Sequence, residues 1–396
     1  MICVEKARIT VLGSVKKTNV EERNITSCVG FVLAENIVSK IDIPSFDNSA
    51  MDGYAVQHND FEKNIRHFKI LNEIKAGDNS NVVVREGYCA PIYTGAPMPL
   101  GADTIVMVEE TEIEGDRIIV NKDYESKLGR HIRIRGEQVK AGQVALEKGI
   151  TINPSGASYL AALGFTKVKV FSPPKVKIIT TGNEIIEAGK ELEIGQIYES
   201  NSTALITLLK QQGVADLKHV TARDDVDELL NIFEDLNDFD IVILTGGISM
   251  GKYDLVADCL QEVGVKKKFH KIAQKPGKPF YFGTLNETLI FALPGNPSAV
   301  ITSYYEYIFP AIGKMMGRSM PSLVKSFSPL LSKVKIKVNR SNFLKGKIVQ
   351  EGVKVLSGQG SHILNSLAIA DCFIYLPKGQ EVYHKGEVVE VHLLPK

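Results

Sequence analysis

A chain of 396 residues with 44% apolar and 23% charged side chains is long enough for about two to four folded domains and too apolar to be disordered. Its 47 Lys and Arg against 46 Asp and Glu leave a formal charge of +1, so no global field points to nucleic acid or a membrane surface. The five cysteines include no CxxC pair and the eight histidines show no metal-ligand spacing, which argues against a zinc site and suits buried thiols in a reducing compartment such as the cytoplasm. The N-terminal MICVEKARIT has no signal-peptide pattern, and no run approaches a membrane span.

The first 41 residues read as short elements, with Phe31, Val32, Leu33, Ala34, Ile37 and Val38 burying one side of a helix or strand pair. Residues 44–56, PSFDNSAMDGYAV, are turn-rich and enter a strand at Tyr54; Asp52, before Gly53, is locally a turn former. Residues 57–138 lack any long helical period. Short apolar pieces at 82–84, 104–108 and 117–120 alternate with glycine turns, which predicts a small β domain. Inside it, residues 90–103 carry denser turn chemistry than a hairpin needs, making Thr94, before Gly95, a candidate ligand contact. On a strand, Arg133 and Arg135 would share a face, suited to phosphate or simply exposed. Pro154 and Ser155 then open a helix closed by Gly164. If that helix packs with the N-terminal piece, the β domain is an insertion between two halves of another domain.

From residue 175 strands and helices alternate. A strand at 175–181 leads to TTGNEI with Gly182 and Glu184, and Asn201 or Ser202 caps a helix bearing Leu205, Leu208 and Leu209. A strand at 217–221 precedes Asp224-Asp225 and a helix, and the apolar run 241–244 breaks into Thr245-Gly246-Gly247. Asp254 falls at or near the next helix start. A basic stretch follows, with Lys275 and Lys278 around a Pro-Gly turn; a strand at 288–293 then gives way to Pro294-Gly295-Asn296-Pro297 and an apolar helix. This is a doubly wound α/β domain over about 175–317. Its strand-exit loops gather Gly182, Glu184, Asp224, Gly246, Gly247, Asp254, Lys275, Lys278 and Asn296, at the edge where open α/β sheets bind ligands. Carboxylates there suit a hard divalent ion, and lysines with glycine-loop N–H groups suit phosphates. Gly246-Gly247 alone is a ligand loop or a tight structural turn, and its phrase matches neither standard nucleotide motif. Residues 318–396 hold 12 Lys+Arg against 5 Asp+Glu, a net of +7 that reads as a solvated basic face or a site for an anion.

Taken in order, PSFDNSAMDGYAV, TGAP, TGNE, RDD, GGISMGKYD, KPGKPF, LPGNPSA and GQGSHI resemble the molybdopterin molybdenumtransferase family, which includes bacterial MoeA and the matching E domain of gephyrin. The resemblance spans about residues 29–390. It implies an elongated, L-shaped, multidomain α/β and β subunit. Its parts would be a split N-terminal domain (1–41 plus 139–170), an inserted β domain (42–138), a MogA-like, molybdopterin-binding α/β domain (171–317) and a C-terminal β-barrel (318–396). It also implies a homodimer with composite active sites that inserts molybdenum from molybdate into adenylylated molybdopterin, releases AMP and uses Mg²⁺. Molybdopterin adenylyltransferase and acceptor molybdoenzymes would be its partners. Asp52 and Thr94 would lie on one side of the site. Glu184, Asp224 and Asp254 would lie on the other as catalytic groups and metal ligands. Gly246, Gly247 and Ser249 would contact phosphate or pterin, and Lys275 and Lys278 would hold the anionic substrate. Pro294, Gly295, Asn296 and Pro297 would shape the adjoining loop, and Arg340 and Ser361 would reach in from the last domain. Three positions depart from the family pattern: Gln138 replaces an acid, Asn183 replaces an aspartate and Lys345 replaces an arginine. The motifs leave two other readings open, a tungsten-inserting homologue and a non-catalytic pterin-binding scaffold.

Overall fold

The structure is a computed structural model that describes residues 1–79, 81–248 and 255–395. They fall into two compact units, one of residues 1–34, 149–157 and 167–396, the other of residues 35–148 and 158–166. No helix among the described residues is long and apolar enough to cross a membrane.

The smaller unit is built on a six-stranded sheet in the order Thr104–Met107, Gly53–Val56, Tyr88–Ile92, His67–Ile70, Arg117–Val120, Thr111–Glu114. Alternation along these strands sends side chains to two cores. Tyr54, Val56, Phe68, Cys89 and Val106 fill one, and Ala55, Ala90, Ile92 and Ile105 the other. Gly53 cannot carry a side chain, because a Cβ there would sit 2.1 Å from Val106 O. The expected pairing of Arg133 and Arg135 on one strand face is not seen. The strand covers only Ile132–Arg133, and Arg135 lies beyond it, with its Nε 2.5 Å from Asp42 Oδ2.

In the larger unit a six-stranded sheet runs Leu217–Ala222, Val176–Thr181, Ile241–Thr245, Thr288–Leu293, Tyr281–Leu285, Lys266–His270. The first four strands are parallel and the last two pairings are antiparallel, so Tyr281–Leu285 alone among the six runs against the others. Val176–Thr181, Ile241–Thr245 and Thr288–Leu293 are buried along their whole length, which explains the apolar runs at their centres; the buried Lys177 in the first is bonded to Ile232 O and Asp235. Their odd and even residues feed opposite faces. Ile178, Ile243 and Phe291 pack with Leu205 and Leu209, while Ile179, Val242 and Ile290 pack with Leu229, Phe233 and Leu260. Burying each such side chain contributes about 1.5–3 kcal/mol.

The helix Val4–Gly13, absent from the sequence reading, places Val4, Ala7 and Val11 in the first of these cores. The helix expected after Pro297 is longer than its apolar stripe suggested: Pro297–Ser303 passes through a π-helical turn, Tyr304–Ile308, into Phe309–Met315. Beyond it, Gly352–Val355, Ser341–Val349, Cys372–Leu376, Val388–Leu393 and Lys325–Pro329 pair in succession. In place of the expected full barrel, this sheet curls as a half-barrel around Leu330, Val353, Ile374, Val389 and Val391, with a single bridge between Leu330 and Val353.

Candidate functional site

The four parallel strands end in register, with Thr181 opposite Ala222, Thr180 opposite Thr245, and Thr245 opposite Leu293. The loops leaving them enclose a cleft of about 730 Å³. Val176–Thr181 lies between Leu217–Ala222 and Ile241–Thr245, so the next two strands of the parallel set in chain order are added on opposite sides of it. The cleft therefore sits at a topological switch point, where the carboxyl ends of an open α/β sheet bind ligands. Gly182, Glu184, Asp224, Gly246, Gly247, Pro294, Gly295, Asn296 and Pro297 all line it, so the structure brings nine of the sequence-derived candidates together.

The glycine turn is set by close approach. Gly246 and Gly247 have φ of +93° and +63°, and a Cβ on Gly246 would stand 2.1 Å from Thr181 O. The Gly246 N–H donates to Leu293 O at 3.2 Å, which leaves Gly247 as the N–H of the pair without a partner among the described residues. The adjacent acids at 224 and 225 divide their work. Asp225 is the N-cap of Val226–Phe233, its Oδ1 accepting from Glu228 N–H at 3.0 Å, while Asp224 lines the cleft. At the helix Asn201–Gln211 the expected cap by Asn201 or Ser202 is not what forms. Glu199 takes that role, accepting from Ser202 N–H at 2.7 Å and from the Ser202 hydroxyl. This frees Asn201 to donate from Nδ2 to Gly295 O at 2.8 Å across the cleft.

One wall comes from the segment after the first barrel turn. Lys345 is buried, and its ammonium donates to Gly358 O, Gly360 O and Ile363 O at 2.8, 3.2 and 3.0 Å, so all three of its donors are used. Burial pushes its pKa down from the usual lysine value. The loop held this way presents His362 and Leu364 to the cleft. Ser361 does not line it; its carbonyl instead accepts from Ser298 N–H at 3.0 Å, fixing the loop to the start of helix Pro297–Ser303. Sequence reasoning missed His362, Glu199 and the orientation of Asn201, because each depends on tertiary contacts. The Gly-rich GQGSHI phrase was the one available signal for His362.

Lys275 and Lys278 do not line this cleft, although the neighbouring Pro279 does. Gln274–Lys275 pairs in parallel with Ser341–Val349, which sets exposed Lys275 beside Asn342 in a separate cavity of about 760 Å³ with Lys335 and Lys337. Arg340, one residue before that strand, also lies off the cleft, its buried Nε unpartnered among the described residues. In the other unit, Asp52 and Thr94 are hydrogen-bonded to each other. Thr94 N–H and the Thr94 hydroxyl donate to Asp52 Oδ1 at 2.7 and 2.9 Å. These bonds, the backbone one first, hold the Asp52 carboxyl below its usual pKa. Ser249 and Asp254 lie outside the described residues.

For a divalent cation, Glu184 and Asp224 provide hard oxygen donors, the type that suits a partly hydrated Mg²⁺. Among the described residues no three His, Cys, Asp or Glu side chains converge on one point.

A parallel α/β sheet with a glycine turn and two carboxylates at its strand exits defines an α/β protein of the class that binds a phosphate-bearing ligand at the sheet's carboxyl edge. Profiles described as MoeA N-terminal region (domain I and II), Probable molybdopterin binding domain and MoeA C-terminal region (domain IV) match residues 2–164, 177–314 and 328–394. The molybdopterin molybdenumtransferase of Haemophilus influenzae is 33% identical over all of both chains. That of Staphylococcus epidermidis is 32% identical over 98% of this chain and 96% of its own. Among solved structures, a molybdopterin biosynthesis MoeA protein from Pyrococcus horikoshii superposes with a TM-score of 0.87 at 30% identity over 100% of each chain. The chain belongs to the molybdopterin molybdenumtransferase (MoeA) family.

Proposed function

We propose that this protein transfers molybdenum from molybdate to adenylylated molybdopterin and releases AMP. The observation that carries the reading is the strand-exit cleft, which joins the Gly246-Gly247 turn to Glu184 and Asp224. Attack of a water oxygen on one phosphorus of the phosphoanhydride forms the new P–O bond as the bridging P–O bond breaks. This gives AMP and the phosphate-bearing pterin with release of the water's proton, and negative charge develops on the bridging oxygen as it leaves. The Gly247 N–H, without a partner among the described residues, would donate to a phosphate oxygen. Glu184 and Asp224, with Asp254 as the proposed third carboxylate, would hold Mg²⁺, which when bound neutralises charge on the phosphates. Lys275 and Lys278 stay candidates for holding the anionic substrate, Arg340 and Ser361 for contacts from the last domain, and Asp52 with Thr94 for orienting substrate. Ser249 stays a candidate phosphate or pterin contact.

We further propose a homodimer with composite active sites, the four-domain division given above, and a cytoplasmic setting between molybdopterin adenylyltransferase and acceptor molybdoenzymes. The five free thiols, four of them buried, support a reducing compartment. The test is AMP release from adenylylated molybdopterin with Mg²⁺ and molybdate, run in parallel with tungstate. Faster turnover on tungstate would assign a tungsten-inserting homologue. No AMP release despite tight pterin binding would make the protein a scaffold.

A further inference from the structure

Two buried polar atoms in the strand-exit cleft have no partner among the described residues: Asn201 Oδ1 and the Thr181 hydroxyl. Thr181 is only 5% exposed, and its Oγ1 lies 2.9 and 2.8 Å from where Cβ atoms on Gly246 and Gly247 would be, so it sits beside the glycine turn. Asn201 stands on another wall. Because its Nδ2 donates to Gly295 O at 2.8 Å, its amide oxygen is fixed as the unpaired end. Buried polar atoms left unpaired are costly, so a pair of them in one cleft marks where a ligand supplies the partners.

The two atoms ask for different chemistry. Asn201 Oδ1 is an acceptor and needs a donor. Phosphate, molybdate and carboxylate oxygens are acceptors and cannot satisfy it. Ile185, Tyr198 and Pro279 line the same cleft and offer apolar surface for the faces of a flat ring. We infer that Asn201 recognises an N–H or amino group on a nitrogen heterocycle, while the Thr181 hydroxyl donates to a phosphate oxygen held at the glycine turn. This deepens the proposed function and rests on it only for the two heterocycles a substrate of that kind contains, a pterin and an adenine. The amide–ring hydrogen bond is common to both.

The test uses the full-length protein and three probes titrated by calorimetry: AMP, 6-hydroxymethylpterin and ribose 5-phosphate, which has no ring nitrogen. Asn201→Ala should weaken AMP, the pterin or both at least about tenfold, equivalent to about 1.4 kcal/mol, and leave ribose 5-phosphate unchanged. Loss on AMP alone assigns the adenine, loss on the pterin alone assigns the pterin, and either supports the inference. Asn201→Asp keeps an acceptor oxygen and should hold the phosphate-free pterin within about threefold of wild type if the pterin is the ring read. Thr181→Val, nearly isosteric, should weaken the two phosphate-bearing probes and spare the pterin. Equal weakening of all three probes by Asn201→Ala would reduce Asn201 to a brace for the Gly295 loop and overturn the inference, as would unchanged affinities. AMP turnover measured alongside separates the two ideas. Wild type that binds the probes but never releases AMP defeats the proposed function alone. Normal turnover and affinity in Asn201→Ala defeat the subsite alone.

Discussion

Asp224 and Asp225 share a side chain and differ in what that side chain touches. Asp225 caps a helix, so Asp225→Ala should cost about 1 kcal/mol of stability in denaturant titration and leave AMP release within about twofold. Asp224 lines the cleft and caps nothing. Asp224→Asn should therefore lower AMP release at least about tenfold, roughly 1.4 kcal/mol in barrier, with an unchanged denaturation midpoint. Equal effects of the two substitutions on turnover would remove Asp224 from the site. For Asp52 the readout is titration. Thr94 N–H and hydroxyl both favour the ionised carboxylate, so its folded pKa lies below the unfolded value. What that contributes to stability is present above the unfolded value and fades as pH falls through the folded one. Thr94→Val removes the hydroxyl and keeps the N–H, so carbon-detected NMR should find the Asp52 pKa moved part of the way back toward an ordinary aspartate. No movement would mean the backbone bond alone sets it.

At the scale of elements, the sequence was most legible where a strand is buried on both faces. The runs at 176–181, 241–245 and 288–293 are mostly apolar because neither face meets water, and each ends in a glycine or proline loop at the cleft; Lys177 is the exception, buried but bonded to Asp235. Lys266–His270 reads as basic loop for the opposite reason: an edge strand buries only Phe269 fully and leaves its three lysines to solvent. The helix Val4–Gly13 did have a readable signal, Val4, Ala7 and Val11 at helical spacing. The Lys345 clamp had none, since three carbonyls gathered around one ammonium are a tertiary fact. That clamp turns a departure from the family pattern into an expectation about a loop. Lys345→Met keeps most of the volume but strips Gly358 O, Gly360 O and Ile363 O of their donor. It should cost about 2 kcal/mol and speed hydrogen exchange across residues 358–364, with neither change elsewhere in the barrel. Because His362 reaches the cleft from this loop, KM for adenylylated molybdopterin should rise as well. Unaltered exchange would show that the clamp does not hold the loop.

Over the larger unit, buried Glu306 in the π-helical turn ties three segments together. It pairs with Arg8 of the first helix and, at 2.7 Å, with His392 of the barrel, whose other ring nitrogen lies 2.8 Å from Glu390. Burial opposes ionisation of Glu306, and His392 with Arg8 outweighs it, leaving the carboxyl below its usual pKa. The barrel and the α/β sheet are thereby joined by side-chain hydrogen bonds as well as by the pairing of Gln274–Lys275 with Ser341–Val349. A site assembled within this unit accounts for Glu184, Asp224 and the glycine turn, but Asp52 and Thr94 belong to the other compact unit. The proposed homodimer assigns them a role by letting each active site draw Asp52 from one subunit and Asp224 from the other. In a twofold dimer that makes two equivalent shared sites. The consequence is measurable by complementation. Asp52→Ala and Asp224→Asn chains, each nearly inactive alone, are mixed under conditions that allow subunit exchange, and exchange is checked with differently tagged chains. Random pairing makes about half the dimers heterodimers, each with one intact site of two, so AMP release should return to roughly a quarter of wild type. Verified heterodimers that recover no activity would mean that both acids act from a single chain, or that Asp52 does not serve the reaction.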